Sequence, residues 1–210
     1  MFNDRIRLFH SFYASVPSNS IPPIGVLTGV NRDLWAEARE HLLSSGSYKN
    51  SHSLSEIEKA AFVIVLDQNK PQTSTESAEL MVDFSRSLWH GDGHNRFFDK
   101  PCQWVIFENG ESGIIGEHST MDGSPTARMN NDMTLALMHG NLPQDPTLPS
   151  ASKCKPKLLE FDIDSKTENY ISQAMKEFQQ AVHENQMHYL LYQKYGKTDI
   201  KAQKTSPDAW

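Results

Sequence analysis

A histidine, an aspartate and a glycine stand close together in the stretch "GEHSTMDG". His118 and Asp122 are four residues apart, and Gly123 follows directly. An imidazole titrates near neutral pH and can take a proton from an attacking hydroxyl group. A carboxylate four residues on can turn back to fix the tautomer of the ring, and a glycine permits the sharp turn that this needs. This spacing also arises often by chance, so the pattern alone is only a weak indication of a base with its orienting acid.

The residues around this pattern predict how it is held. "PCQWVIFENGESGIIGEH" contains two apolar runs joined at Asn109-Gly110, the dipeptide that supplies the positive φ angles of a tight hairpin turn. The second strand of the hairpin would therefore deliver His118 to its carboxyl end. "SPTARMNNDMTLALMHG" then predicts a helix with Pro125 in its first turn.

The rest of the chain alternates between strand and helix patterns. Before the hairpin we expect a strand, a helix ending at Gly46, a helix beginning at Ser53, a strand and a third helix; the segments are "IPPIGVLTG", "NRDLWAEAREHLLSSG", "SLSEIEKAA", "AFVIVLD" and "STESAELMVDFSRSLWHG". The unbroken apolar run Ala61–Asp67 is expected to be buried on both faces. After a proline-rich linker from Gly140 to Lys157, "KLLEFDID" predicts a strand, and the residues up to Gly196 predict the longest helix.

Composition and charge restrict the class of protein. The 210 residues carry a net charge of -6, which argues against a general nucleic-acid binder, because neutralising phosphate needs a concentrated basic surface. Cys102 and Cys154 are too few for a disulfide framework and favour a reducing compartment. No apolar run approaches the roughly 20 residues of a transmembrane helix. The motifs of serine hydrolases, P-loop NTPases and dinucleotide enzymes are absent from the sequence.

A glycine-rich loop, "HGDGHNRFFDK", alternates His90, Asp92 and His94, three residues of types that can bind a divalent metal. Spacings of two residues without a further ligand motif are more typical of a polar loop. The polar loop is therefore our interpretation, and no metal is predicted.

Residues 194–204 carry a local positive charge. Four lysines, at 194, 197, 201 and 204, stand against one acid, Asp199, which gives +3 on a chain whose net charge is -6. Lysines grouped in this way can receive phosphate groups as point charges. A solvated helix end that complements the helix dipole has the same composition, so both interpretations stay open on these residues alone.

Several separated blocks, in order along the chain, resemble the choline/carnitine acyltransferase family. They are "GVLTGVNRDLWAEAREHL", "FVIVLD", "NRFFDKPCQWVIFENGESGIIGEHSTMDGSPT" and "YGKTDIKAQKTSPDAW", and within the family they look most like fungal carnitine acetyltransferases. The H-x-x-x-D-G string is also similar to the wider superfamily of coenzyme A-dependent acyltransferases typified by chloramphenicol acetyltransferase. This implies an α/β (α+β) fold of two similar lobes with the histidine between them.

The resemblance also implies roles for residues. His118 would be the catalytic base and Asp122 its acidic partner, in the reversible transfer of an acetyl or other short acyl group between coenzyme A and carnitine. Coenzyme A is implied as a co-substrate, and no bound cofactor or metal is implied. Arg96 and Asp99 would be structural residues that brace the turn at His118. The block that matches the coenzyme A-binding block of the family offers as contacts Lys197, Lys201, Lys204, Ser206 and Asp208.

The family's chains are far longer than this one. By resemblance, residues 1–160 match the latter part of the amino-terminal lobe, and residues 161–210 match the beginning of the carboxy-terminal lobe. The Ser-Thr-Ser block that holds the oxyanion and the residues that select carnitine and acyl length have no counterpart here. We therefore expect little or no turnover from these 210 residues alone, together with association through uncovered apolar surface.

Two other functions stay open on the sequence. One is a coenzyme A-binding chain that keeps the lysines and lacks the chemistry. The other is a related acyltransferase with a different alcohol or amine acceptor. The family has mitochondrial, peroxisomal and cytosolic members, so an intracellular protein is expected without a particular compartment.

Overall fold

The computed structural model describes residues 22–119, 121–140 and 157–210, which form a mixed α/β structure around a three-stranded sheet. The strands are β1 Val63–Asp67, β2 Cys102–Phe107 and β3 Ser112–Gly116. The helices are α1 Arg32–Ser44, α2 Tyr48–Lys59, α3 Ala78–Trp89, α4 Gly123–Met138, α5 Ser165–Glu184 and α6 Lys197–Ala202, with a 3-10 helix, Ile24–Gly29, before α1. None of these helices is long and apolar enough to cross a membrane.

The sheet has the order β1-β2-β3 and joins a crossover to a hairpin. β1 pairs parallel with β2 through the crossover that contains α3, and β2 pairs antiparallel with β3. The predicted hairpin is confirmed: Gly110 has φ +89° and its N–H donates to Phe107 O at 3.0 Å. Val65, Val105 and Phe107 pack with Phe84 and Leu88 of α3.

A second core lies between the amino-terminal elements and α5. Leu27 of the 3-10 helix, Leu42 of α1 and Leu54 of α2 are buried there with Ala174 of α5. α5 therefore completes a core that begins well over a hundred residues earlier in the chain.

The predicted strand at 158–162 is wrong, because side chains of α2 take the place of a neighbouring strand. Asn50 Nδ2 donates to Asp162 O at 3.0 Å, and Asp162 N–H donates back to Asn50 Oδ1 at 2.8 Å. Ser53 Oγ donates to Glu160 O at 2.7 Å. Paired side chains thus satisfy backbone groups that would otherwise need a ladder partner.

Other sequence predictions need correction at element type or boundary. The segment "IGVLTG" is a 3-10 helix and not a strand, since a short buried apolar run does not distinguish the two. α2 begins at Tyr48, with Ser47 as N-cap, and not at Ser53. α5 ends at Glu184 because Asn185 is already extended, and the helix does not reach Gly196.

β1 is buried on one face only, which corrects the expectation of two buried faces. Val65 is buried against α3, whereas Ile64 on the opposite face is 57% exposed. The predicted helix after the hairpin is confirmed as α4, with Pro125 in its first turn. The predicted linker lies mostly outside the described residues.

Candidate active site

His118 lies at the junction between β3 and α4. β3 ends at Gly116, and the next residue, Glu117, donates its N–H to Pro101 O at 3.2 Å. Asp122 is the N-cap of α4, and its Oδ1 accepts the Gly123 N–H at 2.7 Å. The strand end and the helix start therefore hold the backbone on either side of the histidine.

The imidazole of His118 and the carboxylate of Asp122 face each other. His118 Nε2 lies 3.3 Å from Asp122 Oδ1, which is an ion-pair distance slightly longer than a normal hydrogen bond. The two side chains are 82% and 78% exposed. With Nε2 turned to the carboxylate, Nδ1 makes no hydrogen bond to the described residues and could accept a proton from a substrate. The pair has the arrangement of a general base with its orienting acid.

Glu117 and Ser119 form a small clamp around His118. Ser119 N–H donates to Glu117 Oε2 at 3.1 Å, and the Ser119 hydroxyl donates to the same oxygen. The hydroxyl bond, followed by the N–H bond, lowers the pKa of Glu117, and the charges of Arg32 and His118 act in the same direction. Sequence reasoning missed this clamp, although a carboxylate two residues before a serine is a signal that could have revealed it.

Arg96 is structural, but its contacts lie away from the turn at His118. Its guanidinium is fully buried and forms an ion pair with Asp67 at the end of β1, with an N···O distance of 3.0 Å. It also donates to Ser87 O at 2.8 Å and to Leu88 O at 3.4 Å, carbonyls near the end of α3. Arg96 therefore connects β1 to α3. The hydrogen bond next to His118 is the one that Pro101 O accepts from the Glu117 N–H. Asp99 is exposed.

The glycine-rich loop is a polar loop in the structure. His94 Nδ1 lies 3.0 Å from Asp92 Oδ2, and the Asp92 carboxylate also accepts the His94 N–H at 2.9 Å. His90 Nδ1 lies 2.7 Å from Gly91 O. No group of three or more His, Cys, Asp or Glu side chains that could hold a metal occurs among the described residues.

The candidate coenzyme A contacts lie on and just after α6. Lys197 and Lys201 are four residues apart on this short helix and share a face, and the exposed Lys204 follows with φ +59°. The sequence placed the lysines directly after the end of the long helix. In the structure they lie on and after a separate short helix, α6, which residues 185–196 separate from the end of α5 at Glu184. The Asp208 N–H donates to Ser206 Oγ at 3.3 Å, which closes the turn after α6.

An aromatic contact ties this block together. Trp210 Nε1 donates to Tyr195 OH at 2.9 Å, and the two rings are 5.9 Å apart. The residues before and after α6 are therefore joined. The hydrogen bond from Trp210, followed by that with Tyr192, lowers the pKa of Tyr195.

The structure brings His118 and Asp122 together but records no hydrogen bond or ion pair between this pair and the lysine block in the described residues. Two grooves lie among the residues that the structure describes, both away from the pair. One, of about 230 Å³, lies between the end of α3 and the residues after α5, and the other, of about 390 Å³, lies beside the start of α5. Neither is lined by His118 or by the lysines.

Comparison with known proteins gives the family. The sequence profile of the choline/carnitine O-acyltransferases matches residues 8–210, and the chain belongs to this family. It is 36% identical over 205 residues to the mitochondrial carnitine O-acetyltransferase of Saccharomyces cerevisiae, which covers 95% of the chain and 29% of the yeast protein.

Two mammalian relatives are similarly related. Identity is 29% over 210 residues with the carnitine O-acetyltransferase of Rattus norvegicus, covering 98% of the chain and 32% of the rat protein. It is 31% over 204 residues with the mitochondrial carnitine O-palmitoyltransferase 2 of Homo sapiens, covering 95% of the chain and 30% of the human protein. The chain therefore spans about a third or less of the length of these relatives.

Proposed function

We propose that this chain carries the base and the coenzyme A-binding block of a carnitine acyltransferase with a chloramphenicol acetyltransferase-like fold. The observation that carries the proposal is the pairing of His118 with Asp122 at 3.3 Å, in the open, between a strand end and a helix start. Membership of the choline/carnitine O-acyltransferase family supplies the substrate class. The division into a first lobe, residues 1–160, and the start of a second, residues 161–210, belongs to the same proposal.

The proposed reaction uses the Nδ1 atom of His118 as the base. His118 Nδ1 takes the proton of the carnitine hydroxyl as the oxygen attacks the carbonyl carbon of the acyl thioester. The tetrahedral intermediate collapses with cleavage of the carbon–sulfur bond, and the imidazolium returns the proton to the coenzyme A sulfur. The Asp122 carboxylate, 3.3 Å from Nε2, stabilises the imidazolium between the two transfers. The reverse reaction uses the same groups.

Lys197 and Lys201 would bind the 3′-phosphate of coenzyme A, with Lys204, Ser206 and Asp208 as further contacts. Titration calorimetry of the chain with coenzyme A and with 3′-dephospho-coenzyme A tests this. We expect coenzyme A to bind more tightly by on the order of tenfold, the scale of one charge-assisted hydrogen bond.

A double variant and a matched control complete the test. Lys197→Ala with Lys201→Ala should abolish the preference for coenzyme A, while Lys176→Ala, an exposed lysine on α5, should keep it. Equal affinity of the unchanged chain for the two ligands would contradict the proposed site.

The transferred group is proposed to be acetyl or another short acyl chain. The 36% identity with the yeast acetyltransferase motivates this choice, while the rat acetyltransferase at 29% and the human palmitoyltransferase at 31% do not separate the two chain lengths. Residues that measure acyl length and hold the oxyanion would belong to parts of the family for which these 210 residues have no counterpart. The proposed compartment is intracellular, whether mitochondrial, peroxisomal or cytosolic.

The 210 residues alone are expected to have little transferase activity. Losing one oxyanion donor lowers turnover by on the order of a hundredfold or more. Purified chain with acetyl-CoA and carnitine should therefore release little or no free thiol. Turnover near that of a full-length family member would contradict this expectation.

A second candidate function is coenzyme A binding without chemistry. The 82% exposure of His118 favours it, because few described atoms surround the ring to position a substrate. His118→Ala should leave the affinity for coenzyme A nearly unchanged under both functions. Only the transferase loses turnover through this substitution, and this loss is measurable when the chain is joined to the further segments that its longer relatives have.

A further inference from the structure

The carboxylate of Glu117 spans the peptide units of His118. Its Oε2 accepts the Ser119 N–H at 3.1 Å and also accepts the Ser119 hydroxyl. A carboxylate that bonds the N–H two residues on closes a local turn, and here the residue inside that turn is His118. The backbone from which the imidazole projects is thus fixed by its two neighbours.

The clamp is itself attached to the interior of the molecule. The Glu117 N–H donates to Pro101 O at 3.2 Å, directly before β2. The loop before Pro101 is attached to the 3-10 helix, because the Phe98 N–H donates to the buried Thr28 Oγ1 at 2.8 Å. Glu117 therefore connects the turn at His118 to the loop before β2.

Because few side chains surround the imidazole of His118, its orientation depends on how the backbone is held. The ring of His118 is 82% exposed, and the contact with Asp122 at 3.3 Å is long, so surrounding side chains do little to fix its direction. The direction of the ring then depends on the backbone at residue 118. On one side that backbone is held by the N-cap Asp122 at α4, and on the other by Glu117.

We propose that Glu117 is a positioning residue for the base, acting through Ser119 to turn His118 Nε2 toward Asp122 and leave Nδ1 open to substrate. This rests on the proposed function in its reference to a base, but the orientation itself can be measured without any substrate. The role differs from that of Asp122, since Glu117 makes no hydrogen bond to the ring.

The test is the tautomer of His118, measured by nitrogen NMR of the whole chain labelled at histidine. In the unchanged protein the Nε2–H form should predominate at a pH where the ring is neutral, because Nε2 faces the carboxylate. Glu117→Ala and Ser119→Ala should each lower the ratio of Nε2–H to Nδ1–H by roughly threefold, the effect of one ordinary hydrogen bond. Glu117→Gln, whose amide oxygen still accepts from Ser119, should restore much of the ratio.

The control is Glu111→Gln, which removes a carboxylate from the other end of the hairpin, where Glu111 Oε1 accepts the Thr73 hydroxyl at 2.9 Å. It should leave the His118 ratio unchanged. An unchanged ratio in both Glu117→Ala and Ser119→Ala would overturn the proposal, and so would an equal fall in Glu111→Gln.

Failure of this inference is distinguishable from failure of the proposed function. If coenzyme A does not bind but Glu117→Ala shifts the tautomer, the positioning role stands and the acyltransferase role falls. If coenzyme A binds through its 3′-phosphate but neither clamp variant shifts the tautomer, the positioning role falls and the acyltransferase role stands.

Discussion

The buried framework, formed by α1, α2, α5 and the Arg96–Asp67 ion pair, differs from the candidate site in how far its side chains are buried. Around α1, α2 and α5, buried side chains and paired polar groups fix the chain, and Arg96 with Asp67 forms an ion pair that is 0% and 7% exposed. His118 and Asp122 are 82% and 78% exposed, and neither α4 nor α6 has a buried residue. The framework is stabilised by buried side chains, whereas the residues that could do chemistry lie on or beside helices without buried residues.

This difference predicts which substitutions act on stability and which on chemistry. Changes in the framework should unfold the protein and remove function only as a consequence. Changes at the site should leave the fold intact, because a substitution there removes few buried contacts.

Asp67→Ala should have the largest effect, because it leaves the buried Arg96 guanidinium without its carboxylate. Breaking a buried ion pair from one side lowers the free energy of unfolding by about 3–5 kcal/mol. Urea denaturation measures this. Glu108→Ala, which breaks the exposed pair with Lys70, should cost less than about 1 kcal/mol. Similar losses in both variants would contradict the division between framework and surface.

Leu42→Ala tests the second core. Leu42 is fully buried among α1, α2 and α5, and truncation of such a side chain leaves a cavity that lowers the free energy of unfolding by about 2–5 kcal/mol. The control is Leu137→Ala on α4, where the side chain is 62% exposed and the change should be small. If Leu137→Ala were as destabilising as Leu42→Ala, α4 would be packed far more tightly than the structure shows.

Asp164 makes a smaller, pH-dependent contribution at the start of α5. Hydrogen bonds from the Thr167 N–H, then from the Thr167 hydroxyl and from His41, lower the pKa of Asp164 from 3.8 to about 2. A lowered pKa means that the folded state favours the ionised form. The contribution is therefore complete above pH 3.8 and is lost as the pH falls through about 2.

The measurement is thermal unfolding of Asp164→Asn against the unchanged chain. The variant should have the lower Tm at pH 7, and the gap should close as the pH approaches 2. A gap that stayed constant from pH 7 to pH 2 would contradict this assignment.

Exposed apolar side chains predict association. Ile64 on the open face of β1 and Leu190 after α5 are 57% and 84% exposed. Exposed apolar surface promotes contacts between chains. Size-exclusion chromatography should show association that increases with concentration, and a single monomer peak across concentrations would contradict this expectation. Ile64→Lys should weaken the association without lowering the Tm.

The sequence predicted the hairpin and the helix on either side of His118 more successfully than it predicted the ends of the other elements. The Asn109-Gly110 turn and Pro125 are local signals, and both lie in the structure where their chemistry requires. The end of α5 at Glu184 was missed, because apolar residues continue beyond it at a spacing that resembles a helix. The segment 158–162 was mistaken for a strand because Asn50 and Ser53, distant in sequence, satisfy its backbone.

The clamp at His118 was missed for a related reason. The sequence alone does not indicate a role for Glu117. Its role follows from the hydrogen bonds that it forms with Ser119 and with the carbonyl of Pro101. Likewise, Asp67 is simply the last residue of an apolar run until Arg96 is placed beside it. The bonds of Glu117 to Pro101 and of Asp67 to Arg96 join residues that are distant in sequence, which a single sequence does not reveal, whereas the bond between Ser119 and Glu117 is local.

The most direct test of the account is protection of His118 by coenzyme A against carbethoxylation with diethylpyrocarbonate. Peptide mass spectrometry gives the rate at each histidine, and His52, which is exposed on α2, is the internal control. If the lysine block directs the thiol end of coenzyme A toward His118, coenzyme A will slow modification of His118 and leave the rate at His52 unchanged. Equal rates at His118 with and without saturating coenzyme A would contradict the assignment of His118 as the base.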